Sequence, residues 1–165
     1  MSLIVEDGTG KPDAESYISV ADADTYHARR NNTVWAALSD PEKEAALIAA
    51  TDYMQGYYSG SWKGYKLTQH QALDWPRYAA VVDGFTLDSA IIPQRVKNAA
   101  SELAFRSSQE PLAPDLEPQV KDEQVGPIKV TYKDGGREVT KFRSVDNALD
   151  CLLQYSGNTF GISRA

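Results

Sequence analysis

Apolar residues recur at helical spacing in two long stretches of the chain. The stripes are Leu47, Thr51 and Met54 in the first stretch, and Val96, Ala99, Ala100 and Leu103 in the second. This spacing places each set on one face of a helix and predicts two amphipathic α-helices. The first should begin at Ser39-Asp40-Pro41-Glu42, which matches a capping box, and the second at Pro93.

Local start and stop signals predict three further helices. One should run from about Val20 to Arg30, with Ser19 as its N-cap. A short helix should begin at Thr68-Gln69-His70-Gln71, which fits the capping-box pattern, and end near Trp75 because a following proline disfavours helical geometry. The last should cover about residues 145–155, where Leu149, Leu152 and Leu153 are apolar.

The hydrophobic period changes from helical to two-residue late in the chain. Ile128, Val130 and Tyr132 alternate with polar residues, which predicts a half-buried strand. Asp134-Gly135-Gly136 is a turn signal, and Glu138 to Arg143 should form the partner strand. The predicted fold is therefore mainly α: a small bundle of four to five helices with an inserted β-hairpin and extended N- and C-terminal arms.

Turn-forming residues and prolines divide the chain without splitting it into two domains. We expect one domain over residues 1–165, long enough for a single core. Its parts are an N-terminal arm (1–18), a helical body (19–110), a linker with the hairpin (111–144), and a C-terminal helix and tail (145–165). The linker begins where Pro111, Pro114 and Pro118 interrupt the helical pattern.

The charge balance is acidic, with 17 basic and 23 acidic residues and a formal net charge of −6. A sequence-independent DNA binder gains affinity by neutralising phosphates with clustered Lys and Arg. Arg29-Arg30 is the only adjacent basic pair, so we expect no cluster of cations and a surface that DNA passes without specific binding. No apolar run approaches the ~20 residues of a membrane span, and we expect no membrane partner. Cys151 is the single cysteine, which favours synthesis in a reducing cytoplasm.

The residue types that carry catalysis lack a recognisable pattern. The sequence has no Gly-rich phosphate loop, no nucleophile elbow and no His-containing metal motif. His27 and His70 belong to no ligand pattern, and Cys151 lacks a CxxC partner. We therefore expect no enzymatic activity, no cofactor and no metal.

One aromatic and basic constellation admits two interpretations. Trp62, Lys63, Trp75 and Arg77 could stack on unpaired bases and contact phosphates, as in single-strand-binding proteins. Alternatively, the tryptophans fasten loops onto a small helical core, where large aromatic side chains supply much of the buried area. The acidic balance favours the structural role, but both interpretations stay open.

Several segments together resemble a known phage family over about residues 5–155. The most specific is Trp62-Lys63-Gly64 followed by Gln71-Ala72-Leu73-Asp74-Trp75-Pro76-Arg77. The others are Tyr17 to His27, Ala45 to Tyr53, Ile92-Pro93 with the helix after it, and Val125 to Tyr132. The pattern resembles phage proteins named DnaT-like single-stranded-DNA-binding proteins, and it is similar to the head–tail adaptor, or connector, subunits of tailed phages.

The adaptor resemblance implies a virion structural protein of the neck, made in the host cytoplasm. It implies a homo-oligomeric ring of twelve copies that joins the portal protein to tail or nozzle proteins and lets DNA pass. The implied self-interface comprises Val125, Ile128, Val130, Tyr132 and Phe142. The implied portal-binding residues are Leu152, Leu153, Tyr155, Phe160, Ile162 and Arg164. The alternative is a single-stranded nucleic-acid-binding module in phage replication, which would use Trp62, Lys63, Trp75 and Arg77.

Overall fold

The computed structural model describes residues 3–114, 122–125, 128–131 and 142–154, and five α-helices dominate this part of the chain. The central helices, α3 and α4, pack against each other, and α1 and α5 pack on α4. This confirms the predicted mainly α fold. The helices are α1 (Val20–Ala28), α2 (Thr33–Ala36), α3 (Asp40–Tyr58), α4 (Gln94–Ser107) and α5 (Arg143–Leu149).

The amphipathic patterns form the core as predicted. Leu47 and Met54 of α3 and Leu103 of α4 are fully buried, in agreement with the helical spacing of the apolar stripes. The capping box of α3 is present, since the Ser39 backbone N–H donates to Glu42 Oε2 at 2.8 Å. Ser19 caps α1 by accepting from the Asp22 N–H at 3.1 Å.

Three antiparallel two-stranded ribbons accompany the described helices. Asp83 and Gly84 connect the strands of the second ribbon, and their φ angles of 51° and 83° suit a type I′ turn. Asp-Gly is also a sequence typical of such a turn. The pairs are β1 (Tyr65–Lys66) with β2 (Arg77–Tyr78), β3 (Val81–Val82) with β4 (Phe85–Thr86), and β5 (Asp122–Val125) with β6 (Ile128–Thr131).

The predicted helix from Thr68 to Trp75 is wrong, because this segment consists of bends and irregular backbone. Its capping-box hydrogen bonds exist: the Thr68 N–H donates to Gln71 Oε1 at 2.8 Å, and the Gln71 N–H donates to Thr68 Oγ1 at 3.1 Å. The following backbone groups find partners outside a helix. The Asp74 N–H donates to the Tyr17 hydroxyl at 3.1 Å, and the Gln71 side-chain amide donates to the Leu73 and Pro76 carbonyls.

The late hairpin has a different partner strand from the predicted one. β6 pairs with the preceding segment, and Val125 lies opposite Ile128. Arg143, predicted to end the partner strand, begins α5, and residues 132–141 lie outside the described residues. Gly126-Pro127 separates the two strands and is itself a turn signal, but the stronger hairpin signal at Asp134-Gly135 led to the prediction of the later partner strand.

The C-terminal helix is shorter than predicted and ends against the middle of the chain. α5 ends at Leu149, and a 3-10 turn covers Asp150–Leu152. The Lys63 N–H then donates to the Leu152 carbonyl at 2.9 Å, and Leu153 forms an isolated antiparallel bridge with Trp62. These contacts bring the end of the described chain to the segment that carries the candidate aromatic residues.

The N-terminal arm doubles back on itself. A buried carboxylate organises it: Glu6 accepts hydrogen bonds from the backbone N–H groups of Gly8, Gly10 and Lys11 at 2.8–3.0 Å. Gly8 is required there, because an added Cβ would lie 1.8 Å from the Ala90 carbonyl oxygen.

Within the described residues, no helix has the length and apolar character to cross a bilayer.

Candidate nucleic-acid interface

The four residues predicted to contact nucleic acid lie together in one loop, the tryptophan loop (residues 62–77). Both indoles are inside the protein, with Trp62 1% and Trp75 0% exposed. Their rings meet edge to face, with centroids 5.9 Å apart. The Trp62 Nε1–H donates to the buried carboxylate of Asp74 at 3.2 Å. Neither indole face is open to solvent, so the indoles form part of the core.

The two cations of the tryptophan loop are bound to backbone carbonyls. Arg77 donates from Nε to the Lys63 carbonyl at 2.9 Å, and from its two terminal nitrogens to the Gly64 and Asp74 carbonyls at 2.7 and 3.2 Å. Burial lowers the pKa of Arg77 from its usual value. Lys63 Nζ donates to the Cys151 carbonyl at 2.9 Å. These cations therefore stabilise the loop conformation.

Two exposed tyrosines lie at the tryptophan loop, Tyr65 within it and Tyr78 directly after it. Tyr65 of β1 pairs with Tyr78 of β2, and the side chains are directly opposite each other. They are 65% and 48% exposed, and their ring centroids are 5.5 Å apart. We call them the tyrosine pair. The sequence analysis did not single them out. The signal that could have identified them is their position, because Tyr65 directly follows Trp62-Lys63-Gly64 and Tyr78 directly follows Trp75-Pro76-Arg77.

The charge beside the tyrosine pair is largely compensated. Lys66 follows Tyr65 and is partly exposed, but its Nζ lies 3.4 Å from Asp74 Oδ1. Asp74 thus serves both the Trp62 indole and Lys66. The pair offers aromatic surface with little net positive charge, which suits stacking better than phosphate binding.

The residues predicted for self-assembly occupy varied positions. Phe142 is half-buried and meets Tyr53 edge to face, with ring centroids 5.4 Å apart. Val125 pairs with Ile128 in the β5–β6 hairpin, where Val130 lies opposite Glu123. Tyr132 lies outside the described residues.

The residues predicted to bind a portal include a core side chain. Leu152 is 2% exposed, and Leu153 is half-buried beside Trp62. Leu152 is therefore not exposed for a partner in this conformation. The remaining predicted residues lie outside the described part of the chain: Tyr155, Phe160, Ile162 and Arg164.

His27 is a structural residue. It is buried, and its Nε2 lies 3.1 Å from the Ser101 carbonyl oxygen, which links α1 to α4. Its Nδ1 lies 3.3 Å from the Asn32 amide nitrogen. Burial lowers the pKa of the His27 imidazole and favours its neutral form. Within the described ranges, no group of three or more His, Cys, Asp or Glu side chains is arranged to hold a metal ion.

Comparison with protein families gives a match over the full chain. A family model described as "Putative DnaT-like ssDNA binding protein" matches residues 1–165. The chain belongs to this family. Comparisons with curated proteins and with solved structures give no significant match. The family membership agrees with the resemblance carried by the tryptophan motifs, and the same comparisons contain nothing that bears on a head–tail adaptor role.

Proposed function

We propose that the protein binds single-stranded DNA, with the tyrosine pair as the platform on which bases stack. The observation that carries this proposal is the full-length match to a family described as DnaT-like and single-stranded-DNA-binding. The tyrosine pair replaces the tryptophans as the contact surface, because Tyr65 and Tyr78 are exposed while Trp62 and Trp75 are buried. Stacking accepts any base and needs no sequence-specific hydrogen bonds.

The test is fluorescence anisotropy with a labelled oligo(dT) and with a duplex of similar length. We expect the single strand to bind more tightly than the duplex, since paired bases are unavailable for stacking. Because each stacked base contributes about 1–3 kcal/mol, changing both Tyr65 and Tyr78 to Ala should weaken binding at least several-fold. Tyr57→Ala, which removes an exposed tyrosine from α3, is the matched control. Equal binding by the double variant and the control would exclude the tyrosine pair.

A second candidate function is the head–tail adaptor, and the charge balance favours it. A net charge of −6 suits a channel wall along which DNA slides without specific binding. The β3–β4 ribbon also exposes Phe85 (77%) and Val81 (46%), and an exposed apolar ribbon is suited to covering by a neighbouring copy in a ring. In this role the protein is a non-enzymatic neck component of the virion, in contact with portal and tail or nozzle proteins.

Light scattering and negative-stain imaging, with and without purified portal protein, test the adaptor role. A ring that forms alone or on the portal supports it. The predicted self-interface residues and the predicted portal-binding residues other than the buried Leu152 would then be the positions to mutate. A protein that stays monomeric beside the portal while binding oligo(dT) at physiological salt would leave single-strand binding as the function.

A further inference from the structure

A cleft between α1 and α4 brings together cations that are distant in the sequence. Arg29 and Arg30, which follow the end of α1, line it together with Lys97 of α4, and its volume is about 340 Å³. The sequence-based expectation of no cationic cluster is therefore wrong at this place. The fold creates the cluster, because no spacing pattern connects Lys97 with a residue 68 positions earlier (97 − 29 = 68).

The cleft is positive within an acidic protein. Its three cations face one carboxylate, that of Asp22, so the local sum is 3 − 1 = +2, against −6 for the whole chain. Among the described residues, no carboxylate forms an ion pair with Arg29, Arg30 or Lys97. Four other described cations are each in an ion pair: Lys11, Lys43, Lys66 and Arg106.

Stabilisation of the helix ends explains the positions of Arg29 and Arg30 but not that of Lys97. Arg29 and Arg30 complement the negative C-terminal end of α1, and Arg30 also donates to the Tyr26 carbonyl at 3.0 Å and lies 3.5 Å above the Tyr26 ring. Lys97 lies in the first turns of α4, where the helix dipole disfavours a cation. The first turn of α4 contains no acidic residue, and its N-cap makes no side-chain hydrogen bond.

The walls of the cleft are fixed by contacts between its two helices. The Tyr26 hydroxyl donates to Glu102 Oε1 at 2.8 Å, and His27 contacts the Ser101 carbonyl. Burial and the neighbouring Glu102 raise the pKa of Tyr26 to about 12, so this donor stays protonated at neutral pH. The two helices that carry the cations are thus fixed relative to each other before any ligand binds, which reduces the entropic cost of binding.

We propose that the α1–α4 cleft binds a phosphate group of the single-stranded DNA backbone. This inference rests on the proposed function and adds the phosphate contact that the tyrosine pair lacks. Arg29 and Lys97 supply the free donors, and Arg30 adds charge from a guanidinium that is held by Tyr26. Asn98 and Gln94 also line the cleft, and Asp22 opposes an anion there.

The test combines charge variants with oligo(dT) binding measured from low to physiological salt. For a single strand, the slope of log affinity against log salt becomes shallower by about 0.7 for each phosphate that the protein no longer neutralises. We expect Arg29→Gln and Lys97→Gln together to weaken binding and flatten the slope. Asp22→Asn should strengthen binding, because it removes the opposing charge. Arg95→Gln is the control for each of the two Gln changes made singly, since it also removes one positive charge but lies on α4 outside the cleft lining.

A second arm uses inorganic phosphate and backbone amide NMR, which separates this inference from the proposed function. Saturable shifts around residues 25–30 and 94–98, abolished in the double variant, support the cleft even if oligo(dT) does not bind. If oligo(dT) binds and the cleft variants behave like Arg95→Gln, the cleft is excluded and single-strand binding stands. If neither probe binds, both proposals are overturned.

Discussion

The tryptophan loop and the α1–α4 cleft combine similar residue types in opposite ways. Each contains aromatic rings beside cations, but Arg77 of the loop donates to three backbone carbonyls, while Arg29 and Lys97 of the cleft have no protein acceptor among the described residues. The loop is consequently a structural unit, and the cleft keeps its donors for a ligand. Residue type alone does not reveal which donors the fold leaves unused.

The largest expected effect is on the loop side of this comparison. Trp75→Ala should destabilise the protein by about 3–5 kcal/mol, because it removes a fully buried indole from the core. Urea denaturation followed by circular dichroism measures this. Trp75→Phe should cost much less, since the Trp75 Nε1–H has no partner among the described residues and its removal eliminates an unsatisfied buried donor. A small effect of the Ala variant would contradict the structural role.

The next effect concerns the loop's central cation. Arg77→Lys should reduce stability by about 1–3 kcal/mol, because an ammonium cannot reach all three carbonyls that the guanidinium satisfies. The same denaturation experiment applies. Lys66→Ala on the neighbouring strand is the control, and its partly exposed ion pair should contribute no more than about 1 kcal/mol. A lysine variant as stable as the native protein would show that the three carbonyls need no fixed donor.

Lowering the pH should reduce the stability of the protein through His27, which joins the two helices of the cleft. Its folded-state pKa is lowered by burial, so the unfolded chain takes up the proton first as the pH falls below about 6.5. The contribution of His27 to stability is therefore complete above that pH and decreases below it. Thermal melts from pH 7.5 to pH 5 measure this, with the exposed His70→Gln as control. Stability that is constant over this range, or that rises as the pH falls, would contradict it.

The smallest effect on stability is expected from changing Lys97, one of the three cations of the cleft. Lys97→Gln should leave stability unchanged or raise it by about 0.3–1 kcal/mol, because it removes a positive charge near the start of α4. Chemical denaturation at low salt reveals the difference best. A clear loss of stability would assign Lys97 a structural role like that of Arg77 and would remove the contrast between the two regions.

Local signals in the sequence were sufficient for the two central helices, α3 and α4. Ser39 and Glu42 predicted the start of α3, and the helical spacing from Leu47 to Met54 predicted its buried face, because both depend on residues within a few positions. Thr68 and Gln71 made the predicted capping hydrogen bonds without a helix. The helix does not form there because the Asp74 N–H donates to the hydroxyl of Tyr17, which lies 57 positions earlier in the chain.

The candidate sites depended on contacts that sequence spacing does not encode. The tyrosine pair arises from the register of β1 with β2, and the cleft from the packing of α1 on α4. The sequence grouped Trp62, Lys63, Trp75 and Arg77 together, and the structure places them in one loop. The two interpretations, base stacking and core packing, differ in whether the indoles are exposed or buried. Burial of Trp62 required partners at residues 152–154, which no local pattern links to it.

The pairing of the chain's last described residues with the tryptophan loop has a consequence for biosynthesis. Gln154 donates to the carbonyls of Ser61 and Trp62 across a separation of up to 93 residues (154 − 61 = 93). A nascent chain cannot close this contact while Gln154 is still inside the ribosome. The loop should therefore complete its structure only after that residue has emerged, and contacts of such long range form slowly. The earlier helices can assemble during translation, so emergence of residues 152–154 is the event that completes the core around Trp62.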